Sequence, residues 1–166
     1  MPVRERIARW GAVVANAALV VACVALAAMA LVEAWQVIAR YVLNDSPGWT
    51  EPVAVLLMNT AMMFGAATAV RSDRHFGFFI LVHAVPPRAQ RLLQAFARIV
   101  AAVAGLVLAI WGAQLVRGDW DVPMAGAPLP QGMAFLPISA GGVLIVLFAI
   151  ERLWLPAGNE AAEAER

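Results

Sequence analysis

Four long apolar runs, each closed by charged or polar residues, set the pattern of this chain. Each run has at least 18 consecutive residues without Asp, Glu, Lys or Arg. At about 1.5 Å of rise per residue, a helix of roughly 20 residues crosses a hydrocarbon core of ~30 Å. With their flanking turns, the runs predict four transmembrane helices at residues 11–38, 51–70, 92–116 and 133–154.

Composition agrees with an all-α integral membrane protein. Of the 166 residues 63% are hydrophobic and only 14% are charged, and the mean hydropathy is +0.77. Soluble domains average about 25% charged residues. A secretion signal is the alternative for the first run, since Ala28-Met29-Ala30 resembles a cleavage site. The run is longer than the ~7–15 apolar residues of a signal, which favours an uncleaved first span.

Two further segments lie outside the spans. Residues 75–85 (HFGFFILVHAV) are apolar and aromatic but too short to cross a membrane, and arginines and Pro86-Pro87 flank them. We predict a short amphipathic helix in the membrane interface. Residues 156–166 are small and acidic, which predicts a disordered cytoplasmic tail after a single membrane domain at residues 1–155.

The positive charges are distributed unequally between the two sides. Four spans place both termini on one side, and ten of the 12 arginines fall there. Only Arg40 and Arg117 lie opposite. Since positive residues accumulate on the cytoplasmic side, the split predicts that both termini are cytoplasmic.

Polar residues near the second span have structural explanations. Thr50 is a predicted N-cap, and Glu51 is favoured at the positive end of a helix. Arg40 and Glu51 lie at the outer ends of neighbouring spans, so an ion pair between them could hold this hairpin. Asn59 is expected to bond to another helix rather than to a ligand.

Small residues recur every fourth position in the third span, from Ala97 through Gly105 and Ala109 to Ala113. Such spacing lets a second helix approach closely. We predict a packing face, either within this chain or against a partner subunit. An alanine-rich composition without a packing role is the alternative.

Side chains suited to catalysis or cofactor binding are scarce. His75 and His83 both fall in the interfacial segment, so a di-histidine haem site has little support. The sequence has no Gly-rich phosphate loop, metal-ligand cluster or nucleophile–base set. We therefore expect no enzymatic activity, cofactor, metal or nucleic-acid partner, and a supporting role in the membrane.

An ordered set of short motifs over residues 31–154 resembles the small, DctQ-like membrane subunit of TRAP (tripartite ATP-independent periplasmic) transporters. The motifs are Arg40-Tyr41-Val42, Trp49-Thr50-Glu51, Gly65, Arg71, His75, Pro86-Pro87, Arg91 and Leu136-Pro137-Ile138. The family often has a second acid directly after the Trp-Thr-Glu motif. This chain has Pro52 there, which argues against a paired-acid role.

The resemblance implies a function and partners. Such subunits sit in the bacterial inner membrane beside a large multi-span subunit that carries substrate and sodium by an elevator motion. A periplasmic binding protein delivers the substrate, typically an organic acid, and the small subunit is a scaffold surrounded by membrane lipids. The outer rim at Arg40 and Glu51 would then be either a hairpin clamp or a contact with the binding protein.

Two other functions remain open at this stage, namely a haem-holding membrane anchor of a quinone-linked enzyme and a small self-assembling pore. The residues singled out as structural or interface candidates are Arg40, Trp49, Glu51, Asn59, Gly65, Arg71, His75, Gly105, Ala109 and Pro137.

Overall fold

The structure, a computed structural model, describes residues 3–72 and 86–154. Within these ranges it confirms an all-α membrane fold with four helices long and apolar enough to cross a bilayer. The predicted interfacial helix at residues 75–85 and the predicted tail lie outside the described residues. The helices are α1 (Val3–Tyr41), α2 (Thr50–Arg71), α3 (Pro87–Gly118), a 3-10 helix (Gln131–Phe135) and α4 (Leu136–Trp154).

Two helices are much longer than the hydrocarbon core of a bilayer, which is ~30 Å thick. At 39 residues α1 is about 58 Å long, and at 32 residues α3 is about 48 Å long. By contrast α2, with 22 residues, measures about 33 Å, close to one hydrocarbon thickness. The N-terminal ends of α1 and α3 lie at the same end of the molecule as the C-terminal ends of α2 and α4. We call this end the terminal end and the opposite end the loop end.

The helices follow the order α1, α2, α4, α3 across the molecule. The main contacts join α1 to α2, α2 to α4, and α4 to α3, while α1 touches α4 only marginally. The buried cluster lies where α2 and α4 meet. It comprises Ala15, Met63, Ala67, Val70, Ile145, Phe148 and Ala149.

Alanines form the face of α1 that packs on α2. Ala15, Ala18, Ala22 and Ala25 are all buried, at spacings of three, four and three residues. This is the period that keeps residues on one side of a helix. Larger apolar side chains such as Val24 lie outward. Small residues therefore let the two backbones approach, and the larger ones face lipid.

Glycines bring α3 and α4 into backbone contact. A Cβ added at Gly142 would lie 2.6 Å from the backbone nitrogen of Ala109 and 2.7 Å from the carbonyl oxygen of Gly105. A Cβ at Gly112 would lie 2.8 Å from the backbone nitrogen of Ser139. The Ser139 hydroxyl also donates to the Ala109 carbonyl oxygen at 3.1 Å.

The small-residue face of α3 is therefore internal to the chain, and its members differ from the predicted set. Gly105 and Gly112 are buried and Ala109 is half-buried, whereas Ala113 is exposed. A strict four-residue spacing advances about 40° around the helix at each step, so it leaves one face after two or three steps. The contact row follows Gly105, Ala109 and Gly112 instead.

Ordered connections close the loop end. The Thr50 hydroxyl donates to the Pro47 carbonyl oxygen at 2.8 Å, and the α2 N-cap position is Trp49, without a side-chain cap. The prediction that Thr50 is the N-cap was wrong, because its hydroxyl bonds backwards into the turn. In the second connection Gly126 has φ +85°, and a Cβ there would lie 2.3 Å from the Gly48 carbonyl oxygen. The two connections thus pack on each other.

Candidate functional site

An ion pair between α2 and α4 occupies the terminal end. Arg71 Nη2 lies 3.0 Å from Glu151 Oε1, and Arg71 Nε donates to Glu151 Oε2 at 3.2 Å. The two side chains are only 15% and 10% exposed. The paired nitrogens of a guanidinium match the two oxygens of a carboxylate, so this bidentate contact fixes orientation as well as distance.

The first helix joins the same pair. Arg71 Nη2 also donates to the Ala8 carbonyl oxygen of α1 at 3.2 Å. A Cβ added at Gly11 would lie 2.3 Å from Glu151 Oε1, so the carboxylate fills the space that Gly11 leaves open. Since a larger residue at this position would displace the carboxylate, Gly11 allows α1 to approach the pair.

Two further arginines connect α3 to this cluster. Arg98 Nη1 donates to the Arg152 carbonyl oxygen at 2.8 Å, and Arg152 Nε donates to the Arg71 carbonyl oxygen. Both residues are 7% exposed. We call Arg71, Arg98, Glu151 and Arg152 the terminal charge network.

Helix ends explain why arginines collect here. The last carbonyl groups of a helix have no partner within it, and the C-terminus carries about half a negative charge. Both α2 and α4 finish at the terminal end. The guanidinium groups of Arg152 and Arg98 bond to carbonyl oxygens near these two C-termini. The network therefore satisfies helix ends while it joins all four helices.

At the loop end the predicted hairpin clamp is not formed. Arg40 and Glu51, both in the described part of the chain, are exposed and do not form an ion pair with each other. Trp49 is 42% exposed beside them. The α1–α2 connection is held by the Thr50 hydroxyl and by backbone contacts instead.

Three of the remaining candidates, Asn59, Gly65 and Pro137, lie within the helices. Asn59 Nδ2 donates to the Ala134 carbonyl oxygen at 3.3 Å, which links α2 to the 3-10 helix. Pro137 is buried in the first turn of α4. A Cβ at Gly65 would have no atom of the described residues within 4 Å. His75 lies outside the described residues.

The sequence indicates Arg71 as a candidate, but it does not indicate the residues that Arg71 contacts. Glu151 is 80 positions away from Arg71, among the charged residues that follow the last apolar run. The available signal in the sequence was the position of Glu151 directly after an 18-residue apolar run. A run of this length places Glu151 at the same membrane depth as Arg71. No spacing rule connects Arg98 with the Arg152 carbonyl group.

The sequence of this chain is similar to those of known proteins. The family model described as "Tripartite ATP-independent periplasmic transporters, DctQ component" matches residues 29–158, which is most of the chain. The chain belongs to the DctQ family. The resemblance noted from the motifs is thereby confirmed, and the chain is a small permease component of a TRAP transporter, a multi-pass protein of the inner membrane.

Two curated relatives agree with the DctQ assignment. A putative TRAP transporter small permease protein of Haemophilus influenzae is 26% identical over 148 residues, covering 83% of this chain and 86% of the relative. The sialic acid TRAP transporter small permease protein SiaQ of Vibrio cholerae is 23% identical over 129 residues, covering 78% of this chain and 75% of the relative. Both carry the name of a transporter component rather than of an enzyme, a haem anchor or a pore.

Proposed function

We propose that this DctQ chain is a static scaffold for a large multi-span transport subunit, in sodium-coupled uptake of an organic acid delivered by a periplasmic binding protein. The observation that carries the proposal is the terminal charge network, which joins all four helices at one end. The glycine contacts between α3 and α4 add backbone-to-backbone packing further along. Helices held in this way keep fixed relative positions, as a scaffold for a moving partner requires.

The proposed orientation has the terminal end in the cytoplasm. The terminal end carries the arginines of the terminal charge network. It also carries Arg4, Arg6 and Arg9, which are exposed on the first turns of α1. Positive residues are retained on the cytoplasmic side during insertion, which supports this orientation. The loop end would then face the periplasm and the binding protein.

We place the contact with the large subunit on the face of α2 that carries Met58, Met62 and Gly65. These positions are spaced four and three residues apart, so they share one side of the helix. Met58 and Met62 are 46% and 57% exposed, and Gly65 leaves room for another backbone. Methionine adapts to irregular surfaces, and glycine permits close helix approach, so this face suits a partner helix better than the valine-rich outer face of α1.

One of the two relatives is named for sialic acid, which is an organic acid, and this supports the proposed substrate class. The substrate contacts are expected on the large subunit and the binding protein.

The scaffold proposal is tested by reconstitution. Proteoliposomes with this chain alone should take up no organic acid, with or without a sodium gradient. Adding the large subunit and the binding protein should produce uptake that depends on sodium. Uptake by this chain alone would refute the scaffold role.

A matched pair of variants tests the interface. Gly65→Leu adds bulk where the chain itself leaves space, so the purified variant should remain folded yet co-purify poorly with the large subunit. Gly141→Leu places the same bulk 2.6 Å from Met63 Cβ and should unfold the chain itself. Normal co-purification and uptake with Gly65→Leu would move the interface to another face.

A further inference from the structure

An open groove lies at the loop end, between the last turns of α1 and the start of α2. Its volume of about 440 Å³ falls within the ~300–1,000 Å³ of typical small-molecule sites. The groove, here called the loop-end groove, is lined by Trp35, Ala39, Leu43, Asp45, Pro47 and Trp49.

Backbone contacts hold the groove in shape. Asn44 adopts φ +53°, a left-handed conformation that asparagine tolerates, and the chain turns back there. The Asp45 N–H group then donates to the Ala39 carbonyl oxygen at 3.0 Å. On the other side the Thr50 hydroxyl holds the Pro47 carbonyl group at 2.8 Å. A site that is already formed loses less entropy when a ligand binds.

The lining residues favour a cation attached to an apolar body. Asp45 is the one charged residue among the six, and its side chain is exposed. Trp35 and Trp49 are 45% and 42% exposed, which leaves indole surface available. The face of an indole ring attracts an ammonium group, and a carboxylate adds a direct charge contact. The other lining residues are apolar.

The depth of the groove indicates where such a ligand comes from. Because α2 is about 33 Å long, its first residue lies about one hydrocarbon thickness away from Arg71. The groove beside Trp49 is therefore at the opposite membrane–water interface, where tryptophan is enriched. A lipid head group reaches this level from the side, with its acyl chains along the exposed apolar faces of α1 and α2.

We propose that the loop-end groove binds the ammonium head group of a zwitterionic phospholipid of the phosphatidylethanolamine type. Asp45 pairs with the ammonium group, and the exposed indole surfaces of Trp35 and Trp49 contact it. The bound lipid ties the α1–α2 connection to its leaflet. The site needs only that the helices span a bilayer, so it is independent of the scaffold role and of orientation.

Native mass spectrometry of the purified full-length chain tests this site. The protein is mixed with equal amounts of phosphatidylethanolamine and phosphatidylglycerol with the same acyl chains, which differ in whether the head group carries an ammonium. Wild-type protein should retain one phosphatidylethanolamine with a preference of about fivefold. Asp45→Asn keeps the size and the backbone contacts of the residue but removes its charge, and should lower the preference to about one.

The matched control is Asp121→Asn, which removes an exposed carboxylate from the other connection, outside the groove. It should retain the wild-type preference. Trp35→Leu should lower phosphatidylethanolamine retention while the helical content stays at the wild-type level. Equal retention of the two lipids by wild-type protein would overturn the proposal, as would an unchanged preference in Asp45→Asn. If the lipids bind equally and Asp45→Asn instead weakens the binding protein's association with the complex, the groove is a protein contact and the lipid site is wrong.

Discussion

The contact between α3 and α4 can be tested by adding a single carbon atom at Gly142. In Gly142→Ala the new Cβ would lie 2.6 Å from the backbone nitrogen of Ala109 and 2.7 Å from the carbonyl oxygen of Gly105. Cβ atoms do not normally approach other heavy atoms to less than 3.0 Å. Both neighbours are backbone atoms of α3, so no side-chain rotation can relieve the overlap. The two helices must move apart.

The expected cost follows from the packing that this movement loses. Overpacking a tightly packed contact costs about 1–3 kcal/mol. Moving α4 away from α3 also loosens the hydrogen bond from Ser139 to Ala109, which adds to the loss. We expect Gly142→Ala to lower the free energy of unfolding by about 2 kcal/mol.

Gly65→Ala is the matched control, because it is the same substitution inside a transmembrane helix. A Cβ at Gly65 meets no described atom within 4 Å, so no overlap is created. In water, alanine stabilises a helix interior over glycine by roughly 0.5–1 kcal/mol. In a detergent assay the unfolded state keeps much of its helix, so we expect Gly65→Ala to change the stability of the isolated chain by less than about 0.5 kcal/mol.

The measurement is equilibrium unfolding of the isolated chain in mild detergent micelles by addition of dodecyl sulfate, followed by circular dichroism and tryptophan fluorescence. The free energies of unfolding of the wild-type protein and the two variants are compared under the same conditions. If Gly142→Ala is as stable as wild type, the close approach of α3 and α4 is incorrect. If Gly65→Ala is destabilised as much as Gly142→Ala, the loss reflects the helix backbone rather than the contact between helices.

The other predictions concern the two ends of the molecule and its orientation. Glu151→Gln should destabilise the chain by about 2 kcal/mol, between the limits for exposed and buried ion pairs, and combining it with Arg71→Gln should cost less than the sum of the single changes. A double-mutant cycle in the same unfolding assay checks this, and strict additivity would count against the ion pair. Gly126→Ala should lower the melting temperature because alanine is strained at φ +85°, whereas Gly118→Ala, whose Cβ has open space, should leave it unchanged. For orientation, a reporter active only in the cytoplasm should work when fused after the last residue and fail when inserted in the connection after α3; the reverse result would invert the topology.

The sequence by itself determined that the described part of the chain has four membrane-spanning helices, and it determined the family. Apolar runs of bilayer length, closed by charges, leave few alternatives, because a helix is the simplest structure that satisfies its own backbone within a membrane. The order of short motifs around Trp49 and Pro137 carried the family resemblance. These features are local, so a linear pattern contains them.

Only the tertiary structure decided which sides of the helices meet. In a soluble protein the buried face is more apolar than the exposed one, but lipid tails are as apolar as leucine, so burial leaves little contrast in the sequence. On α1 the buried Ala22 and the exposed Val24 are both apolar and differ only in size. The pairing of Arg71 with Glu151 depends on the side-by-side placement of α2 and α4, 80 residues apart in the chain. Hydrophobic patterning thus predicted the spans, and small-residue spacing predicted that the third span has a packing face. The helix that packs there, the residues that take part and the long-range ion pair depend on helix rotation and order, so they had to be observed in the fold.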